Sequence, residues 1–398
     1  MKNKVPKLRF KEFSSEWKEQ RLGKIGNIVT GSTPETSKTE YYDGEYLFVS
    51  PIDIKSNRYI KNTKTTLTEL GFNKGRKIPK MSICFVCIGS TIGKVAQVLE
   101  ECITNQQINS IIPFKDISNN FIYSCLENKS DKIKLLAGEQ AVPLINKSDF
   151  SKINIFIPTF PEQEKIGNFL SSVDIKIDKL EKKKELLEKY KKGMMQKLFS
   201  QKLRFKDENG NDYPEWEEKK LGDIGDIISG LTYSPNDIVK KGLLVLRSSN
   251  VQDRTLKFED NVYVDVDTYN PVKENDILIC VRNGSKQLIG KNALITKENE
   301  GLAFGAFMSV FRSSINKFVF QYFDTFKYKK KIYTNLGATI NSINGSDLKK
   351  FEIDIPSLPE QKKIANFLSS IDKKIELVEQ ELEKNKEFKK GLLQQMFV

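Results

Sequence analysis

Apolar residues recur in alternating steps of four and three along one stretch of the chain: Ile166, Leu170, Val173, Ile177 and Leu180. The rhythm continues through Lys184, Leu187, Lys191, Met194 and Leu198, with mostly charged residues between. It returns as Ile364, Leu368, Ile371, Ile375 and Val378, followed by Leu382, Asn385, Lys389, Leu392 and Met396. A period of 3.5 residues predicts a long helix with a coiled-coil seam. At ~1.5 Å per residue, ~38 residues make a helix ~57 Å long. Thr159 with Glu162, and Ser357 with Glu360, have capping-box spacing around an early proline, so each helix is expected to begin there. Lys184, Lys191, Asn385 and Lys389 interrupt the seam. Such positions are either turns that face solvent or buried polar groups that select register. The two segments can pack on each other antiparallel or zip to another chain, and periodicity alone leaves both open.

Elsewhere the pattern is that of strands. YLFVSPIDI, MSICFVCIG, NSIIPF, LLVLRSSNV, DILICVRNG and FMSVF are short apolar runs bounded by Gly, Asn, Asp or Pro. Short helices are expected near NNFIYSCLEN and NKFVFQYFDTFKYKKKIY. The predicted fold class is therefore α+β, as two tandem domains each followed by a long helix. The expected divisions are 1–158, 159–200, 201–356 and 357–398.

The two halves are copies. IPTFPEQEKIGNFLSSVDIKID at 157–178 returns without a gap as IPSLPEQKKIANFLSSIDKKIE at 355–376. The match runs on to the ends KKGMMQKLF and KKGLLQQMF, and the stretches that open the halves, 6–31 and 201–230, also match. Between these anchors only echoes remain: GSTIGK at 89–94 beside GSKQLIGK at 284–291, and NKSDF beside NGSDL. A duplication has kept two frames and let two faces drift apart.

Composition narrows the chemistry. The 398 residues contain 65 Lys plus Arg against 52 Asp plus Glu, a net charge of +13, which favours a polyanionic partner. There is no histidine, which removes Ser-His-Asp and Cys-His nucleophile systems and His metal ligation. The five cysteines are irregularly spaced and fit a reducing cytoplasm. No apolar run has the length of a membrane span, and MKNKVPKLRFKEF holds no apolar segment of signal-peptide type.

Several motifs have a plain and a functional reading. CFVC at 84–87 lacks the second pair that zinc requires, and its apolar setting reads as two core thiols. GSTIGKV is one residue short of a P-loop, with Val95 where a hydroxyl must reach magnesium; GSKQLIGKN is one too long. These loops, with Ser90 and Lys94 in one copy and Arg282, Lys286 and Lys291 in the other, suit DNA phosphate or are β-turns with solvated lysines. Asn105, Gln106 and Gln107, and likewise Arg247, Ser248 and Asn250, are residues of the types that read base edges, Asn or Gln on adenine and Arg on guanine; they are equally ordinary surface loops. KYKKKIY, with Lys329 and Lys330, suits a DNA backbone or is a solvated helix face. An amino-methyltransferase would show Asn/Asp-Pro-Pro-aromatic, and the nearest string is NPV at 270–272.

Variable domains separated by duplicated helices of the form PEQ-x-KI-x-NFLSS-x-D resemble the specificity subunit of type I restriction–modification systems, over essentially the whole chain. The resemblance implies two target-recognition domains, each reading half of a bipartite site in double-stranded DNA. It implies that the long helices form an antiparallel coiled coil that sets the half-site separation. It also implies that this coil docks two methyltransferase subunits, which places Ile166, Leu170, Val173, Ile177 and Leu180, with Ile364, Leu368, Ile371, Ile375 and Val378, in the docking coil. Motor-nuclease restriction subunits would complete the complex. The chain itself would carry no active site, metal or cofactor; S-adenosylmethionine for adenine-N6 methylation, ATP and Mg2+ would belong to partners. The expected location is the cytoplasm, with no membrane partner. Two alternatives stay open: a self-sufficient DNA-modifying or DNA-cleaving enzyme, and a coiled-coil scaffold without sequence preference.

If the helix pair is the ruler, seven residues inserted after Leu180 and again after Val378 keep the seam in phase. They add ~10 Å at ~1.5 Å per residue, which is about three base pairs at ~3.4 Å each and roughly 100° of groove rotation. Methylation mapping on a library of spacer lengths should show a spacer longer by about three or loss of the paired site. Full activity on the original spacer alone contradicts the ruler.

Overall fold

The strand Ile83–Val86 has all four side chains buried because it lies between two apolar layers. Ile83 and Phe85 enter one core with Trp17, Ile111 and Phe121, while Cys84 and Val86 enter another with Val49, Ile60 and Ile108. Period-2 alternation thus reads as a continuous apolar run when both faces are covered. In the computed structural model, which describes residues 5–138, 142–336 and 341–398, this strand is the centre of a five-stranded sheet. The order is Gly26–Thr30, Ile108–Pro113, Ile83–Val86, Val95–Val98, Tyr59–Ile60. All neighbours are antiparallel except the last pair. A second sheet contains Thr65–Leu67, Tyr42–Val49, Cys102–Thr104 and Lys77–Ile78. The helix Asn119–Lys134, with Ser118 accepting from the Phe121 N–H at its start, covers the first core.

The second half repeats the plan. Asp226–Ser229, Met308–Arg312, Ile277–Cys280 and Asn292–Leu294 form an antiparallel sheet in that order. Helices Asn316–Tyr322 and Phe326–Thr334 occupy the expected stretch. The strand Lys18–Arg21 pairs with Asn154–Ile157 as Glu217–Lys220 pairs with Glu352–Ile355.

The long helices are Phe160–Phe199 and Leu358–Met396. Contacts divide the chain into Met1–Lys184 with Leu377–Val398, and Glu185–Glu376. The compact units therefore cut each long helix internally, whereas the sequence divisions fell at helix ends. Within the first unit Lys176 pairs with Glu381 at 3.1 Å, Glu181 with Lys386 at 3.0 Å, and Lys184 with Glu379. Ile166, Leu170, Val173, Leu180, Val378, Leu382, Leu392 and Met396 are buried. Within the second unit Ile364, Leu368 and Ile371 are buried with Met195 and Leu198. Met195 replaces the expected Met194, the drift of a 3.6-residue helix against a 3.5-residue reading. Ile177 and Ile375 are half-buried.

The expected capping boxes do not form, because both glutamates are committed elsewhere. Glu162 is 1% exposed; its carboxylate accepts from Arg9 Nε and Nη2, each at 2.7 Å, and from Trp17 Nε1 at 3.3 Å. Glu360, fully buried, accepts from Arg204 Nε at 3.2 Å, Arg204 Nη2 at 2.8 Å and Trp216 Nε1 at 3.1 Å. The Ser357 hydroxyl is left without a partner. Each neighbouring glutamine donates to a proline carbonyl, Gln163 to Pro158 at 3.0 Å and Gln361 to Pro356 at 2.7 Å. Each tryptophan also joins an aromatic trio with a phenylalanine at the C-terminal end of a long helix, Phe199 as its last residue and Phe397 just past Met396: Trp17, Phe121 and Phe397, and Trp216, Phe318 and Phe199. This explains why KLRF, Trp and PEQ occur together in both halves.

Removing one partner of a buried ion pair strands the other charge, at a cost of about 3 kcal/mol. Glu162→Ala, in a chain carrying Trp216→Phe so that Trp17 alone reports, should lower the stability of the first unit by about that much in urea titration. An unchanged transition would show that Arg9 and Trp17 do not hold this unit through Glu162.

Candidate nucleic-acid interface

In the first unit the loop at 87–94 follows the central strand. Gly89 and Gly93 have φ of +92° and +97°, and a Cβ on Gly93 would meet Ser130 Oγ at 2.8 Å, so both positions favour glycine. Cys87 N donates to the Gln107 carbonyl at 2.8 Å, and Gln107 Nε2 donates to the Ile88 carbonyl at 3.5 Å. Asn105 Nδ2 donates to Gln107 Oε1 at 3.0 Å, and Thr33 Oγ1 donates to Gln106 Oε1. The fold thus brings the Ser90 loop and the Asn105–Gln106–Gln107 turn to one place. Ser90, Lys94 and Gln106 are exposed there, and Asn105 and Gln107 are half-buried. Cys84 and Cys87 are core thiols on opposite faces of the sheet, and burial pushes each up to about 12.

The second unit places Phe307 where the first has Gln107. Val281 N and Arg282 N donate to the Phe307 carbonyl at 2.9 and 3.1 Å. Asn283 Nδ2 donates to Ser248 Oγ at 2.9 Å, so the 282–291 loop and the Ser248 turn also meet. Arg282 and Lys286 are exposed, and Lys291 lines an open cleft with Ser248, Ser249, Gln252 and Asp253. Lys330 is exposed, while Lys329 pairs with Asp324 at 2.9 Å. One expectation needs correction. Asn250 is fully buried: its Oδ1 accepts from Arg247 N at 2.9 Å and its Nδ2 donates to the Lys257 carbonyl at 3.0 Å, so it builds the turn and presents no edge to a base. Arg247 pairs through Nη2 with Asp260 at 2.7 Å, and its Nε has no partner among the described residues.

Two charged nodes, which sequence reasoning missed, fix these domains to the helices. In the first unit the Lys389 ammonium lies 2.6 Å from both Glu127 and Asp174. Asp174 also accepts from Arg58 Nη1 at 2.9 Å, and the Arg58 guanidinium lies 4.3 Å from the Tyr123 ring centroid. In the second unit Lys191 lies 2.6 Å from Asp372 and 3.3 Å from Asp324. Arg254 lies 3.8 Å from Asp324 and 3.8 Å from the Phe320 ring centroid. Lys191 and Lys389 are therefore the buried-polar kind of seam interruption. Lys184 reaches Glu379, and Asn385 donates to the Glu381 carbonyl of its own helix. Burial raises the Glu127 carboxyl, against the pull of Lys389. Burial alone would raise Asp324 too, but Arg254, Lys191 and Lys329 overcome it and hold this carboxyl at about 2. The signal lay in the repeat itself, since Asp174 and Asp372, like Lys191 and Lys389, occupy matching positions. Among the described residues no three His, Cys, Asp or Glu side chains gather as a metal-holding group, and no helix is long and apolar enough to cross a membrane.

Two α+β units on one plan, with matching scaffolds and unlike loop tips, define a tandem-domain protein. Residues 14–189 and 213–386 each match the type I restriction modification DNA specificity domain, and the chain belongs to that family. The MjaVIII type I restriction enzyme specificity subunit of Methanocaldococcus jannaschii is 26% identical over 397 residues, spanning 95% of this chain and 91% of that protein. The HindI type I restriction enzyme specificity subunit of Haemophilus influenzae is 38% identical over 148 residues, 36% of this chain and 32% of that one. The crystal structure of a type I restriction–modification S subunit from M. genitalium has the same fold, with a TM-score of 0.70 at 17% identity over 99% of both chains.

Asp324 ionises at about 2 in the folded chain against an ordinary 3.8. Its contribution is fully present above the ordinary value and is lost as pH falls through about 2, amounting to about 2 kcal/mol. Asp324→Asn should therefore destabilise the second unit at neutral pH and flatten its acid limb between pH ~4 and ~2. Urea titration followed by Trp216, in a Trp17→Phe chain, measures both. An acid limb as steep as in the parent would show that Asp324 is not the group titrating there.

Proposed function

We propose that this chain is the specificity subunit of a type I restriction–modification complex. It reads a bipartite site in double-stranded DNA and directs adenine-N6 methylation and restriction by partner subunits. The observation that carries the reading is the contrast between the halves. The Glu162 and Glu360 clamps repeat residue for residue, and the two nodes share their lysine and helix aspartate, Lys389 with Asp174 and Lys191 with Asp372. The loop tips, Gln107 in one unit and Phe307 in the other, do not. Two readers of different chemistry on equivalent supports suit an asymmetric site in two parts. A net charge of +13 suits a polyphosphate partner. The proposed DNA-facing residues are Ser90, Lys94, Asn105, Gln106 and Gln107 in the first unit, and Ser248, Arg282, Lys286, Lys291 and Lys330 in the second.

In this reading the long helices pair as an antiparallel coiled coil, dock two methyltransferase subunits and fix the half-site spacing. Restriction subunits complete the assembly. The chain carries no active site; S-adenosylmethionine, ATP and Mg2+ act in the partners, in the cytoplasm.

The test is N6-methyladenine mapping in cells expressing this chain with its methyltransferase subunit, and in vitro transfer by each alone and together. The expected result is one bipartite motif, methylated only by the pair. Robust methylation or cleavage by the chain alone, or methylation without a motif, overturns the proposal.

A further inference from the structure

Phe307 is 56% exposed at the tip between the strands Ala303–Phe304 and Met308–Arg312, and its side chain seals no core. Its neighbour Met308, 1% exposed, is the residue that turns inward. The main chain makes Phe307 the counterpart of Gln107: Val281 N donates to the Phe307 carbonyl as Cys87 N donates to that of Gln107, at 2.9 and 2.8 Å. The glycines on the adjoining strand agree. A Cβ on Gly31 would strike the carbonyls of Thr104 and Asn105, and one on Gly230 those of Phe304 and Gly305. Two structurally equivalent tips thus carry opposite chemistry. The first offers three amides, Asn105, Gln106 and Gln107. The second offers Gly305, Ala306 and Phe307, with the Arg282 guanidinium 5.6 Å from the ring centroid.

A phenyl ring has no donor or acceptor for a base edge. In the major groove the apolar feature that distinguishes a base is the C5-methyl group of thymine. Arg282 on the ring brings a cation to the same spot, where it attracts the flanking phosphates and leaves the ring's other face free. Resting on the DNA-recognition reading above, we infer that Phe307, flanked by Arg282, is a specificity-determining residue that reads a thymine methyl group, at the position where the first unit reads by amide hydrogen bonds.

The experiment uses the assembled complex with its methyltransferase subunits and duplexes carrying the mapped site. Each thymine, in both half-sites and on both strands, is replaced in turn by deoxyuridine, which lacks only the methyl group. The parent complex should bind about fourfold more weakly when one particular thymine is replaced, the worth of one buried methyl group. Phe307→Ala should bind thymine and deoxyuridine equally at that position and keep every other preference. Phe307→Leu, which keeps an apolar side chain, should retain discrimination, and tryptophan fluorescence in urea, with Trp216 alone reporting in a Trp17→Phe background, checks that both variants fold. Equal affinity of the parent for thymine and deoxyuridine at every position overturns the methyl contact. So does a Phe307→Ala complex that still discriminates. A parent complex with no preference for any bipartite site is a different result: it overturns the recognition reading itself.

Discussion

Glu162 and Glu360 are ionisable groups almost without contact with water, and such a charge persists only when cations and N–H donors surround it. Arg9 and Trp17 supply them in one unit, Arg204 and Trp216 in the other. This demand ties an N-terminal segment of each half to the first turn of a long helix some 150 residues further on, since the paired residues are 153 and 156 apart. The trio of rings below each clamp then draws in the far end of the other long helix, Phe397 or Phe199. The rest of each unit is arranged around helices fixed in this way. Below them, the Lys389 and Lys191 nodes bind the helix Asn119–Lys134 and the segment Asn316–Thr325 to the same support.

The parts of the fold that repeat were the parts legible in sequence. A 4–3 rhythm survives any local exchange of one apolar residue for another, and Ile166, Leu170, Val173, Ile177 and Leu180, with Ile364, Leu368, Ile371, Ile375 and Val378, are buried or half-buried in the long helices. Strands covered on both faces, such as Ile83–Val86 and Ile277–Cys280, showed as apolar runs for the same reason. The capping boxes failed because spacing fixes where a glutamate sits along a helix but not which partner reaches it first; a guanidinium from a distant segment displaced the local backbone N–H. Asn250 failed in a similar way. An asparagine that closes a turn on its own backbone has the same one-letter signature as one that faces DNA.

The nodes show what a single sequence hides. Arg58 and Arg254 lie in the divergent parts of the two halves, with no motif around them, yet both end on an aromatic ring beside an acid. Equivalent chemistry has been kept while its address in the chain moved, so only the folded geometry brings the two into correspondence. At the loop tips the geometry is equivalent and the chemistry has changed, Gln107 against Phe307. A scaffold in which charge neutrality must be met tolerates little variation of side-chain type. A tip that seals nothing tolerates a great deal.

The division of the long helices also bears on the order in which the protein matures as it leaves the ribosome. The unit Glu185–Glu376 is one continuous stretch, so everything it needs has been synthesised once residue 376 emerges. The other unit is discontinuous: its core contains Trp17 and Phe121 but also Leu392, Met396 and Phe397. The half made first therefore waits, its aromatic slot open, until the helix that began in the second unit has been extruded to its end. Closing that long loop costs little more entropy than closing a short one, but the delay leaves apolar surface uncovered during synthesis, a state in which nascent domains associate with the wrong neighbours.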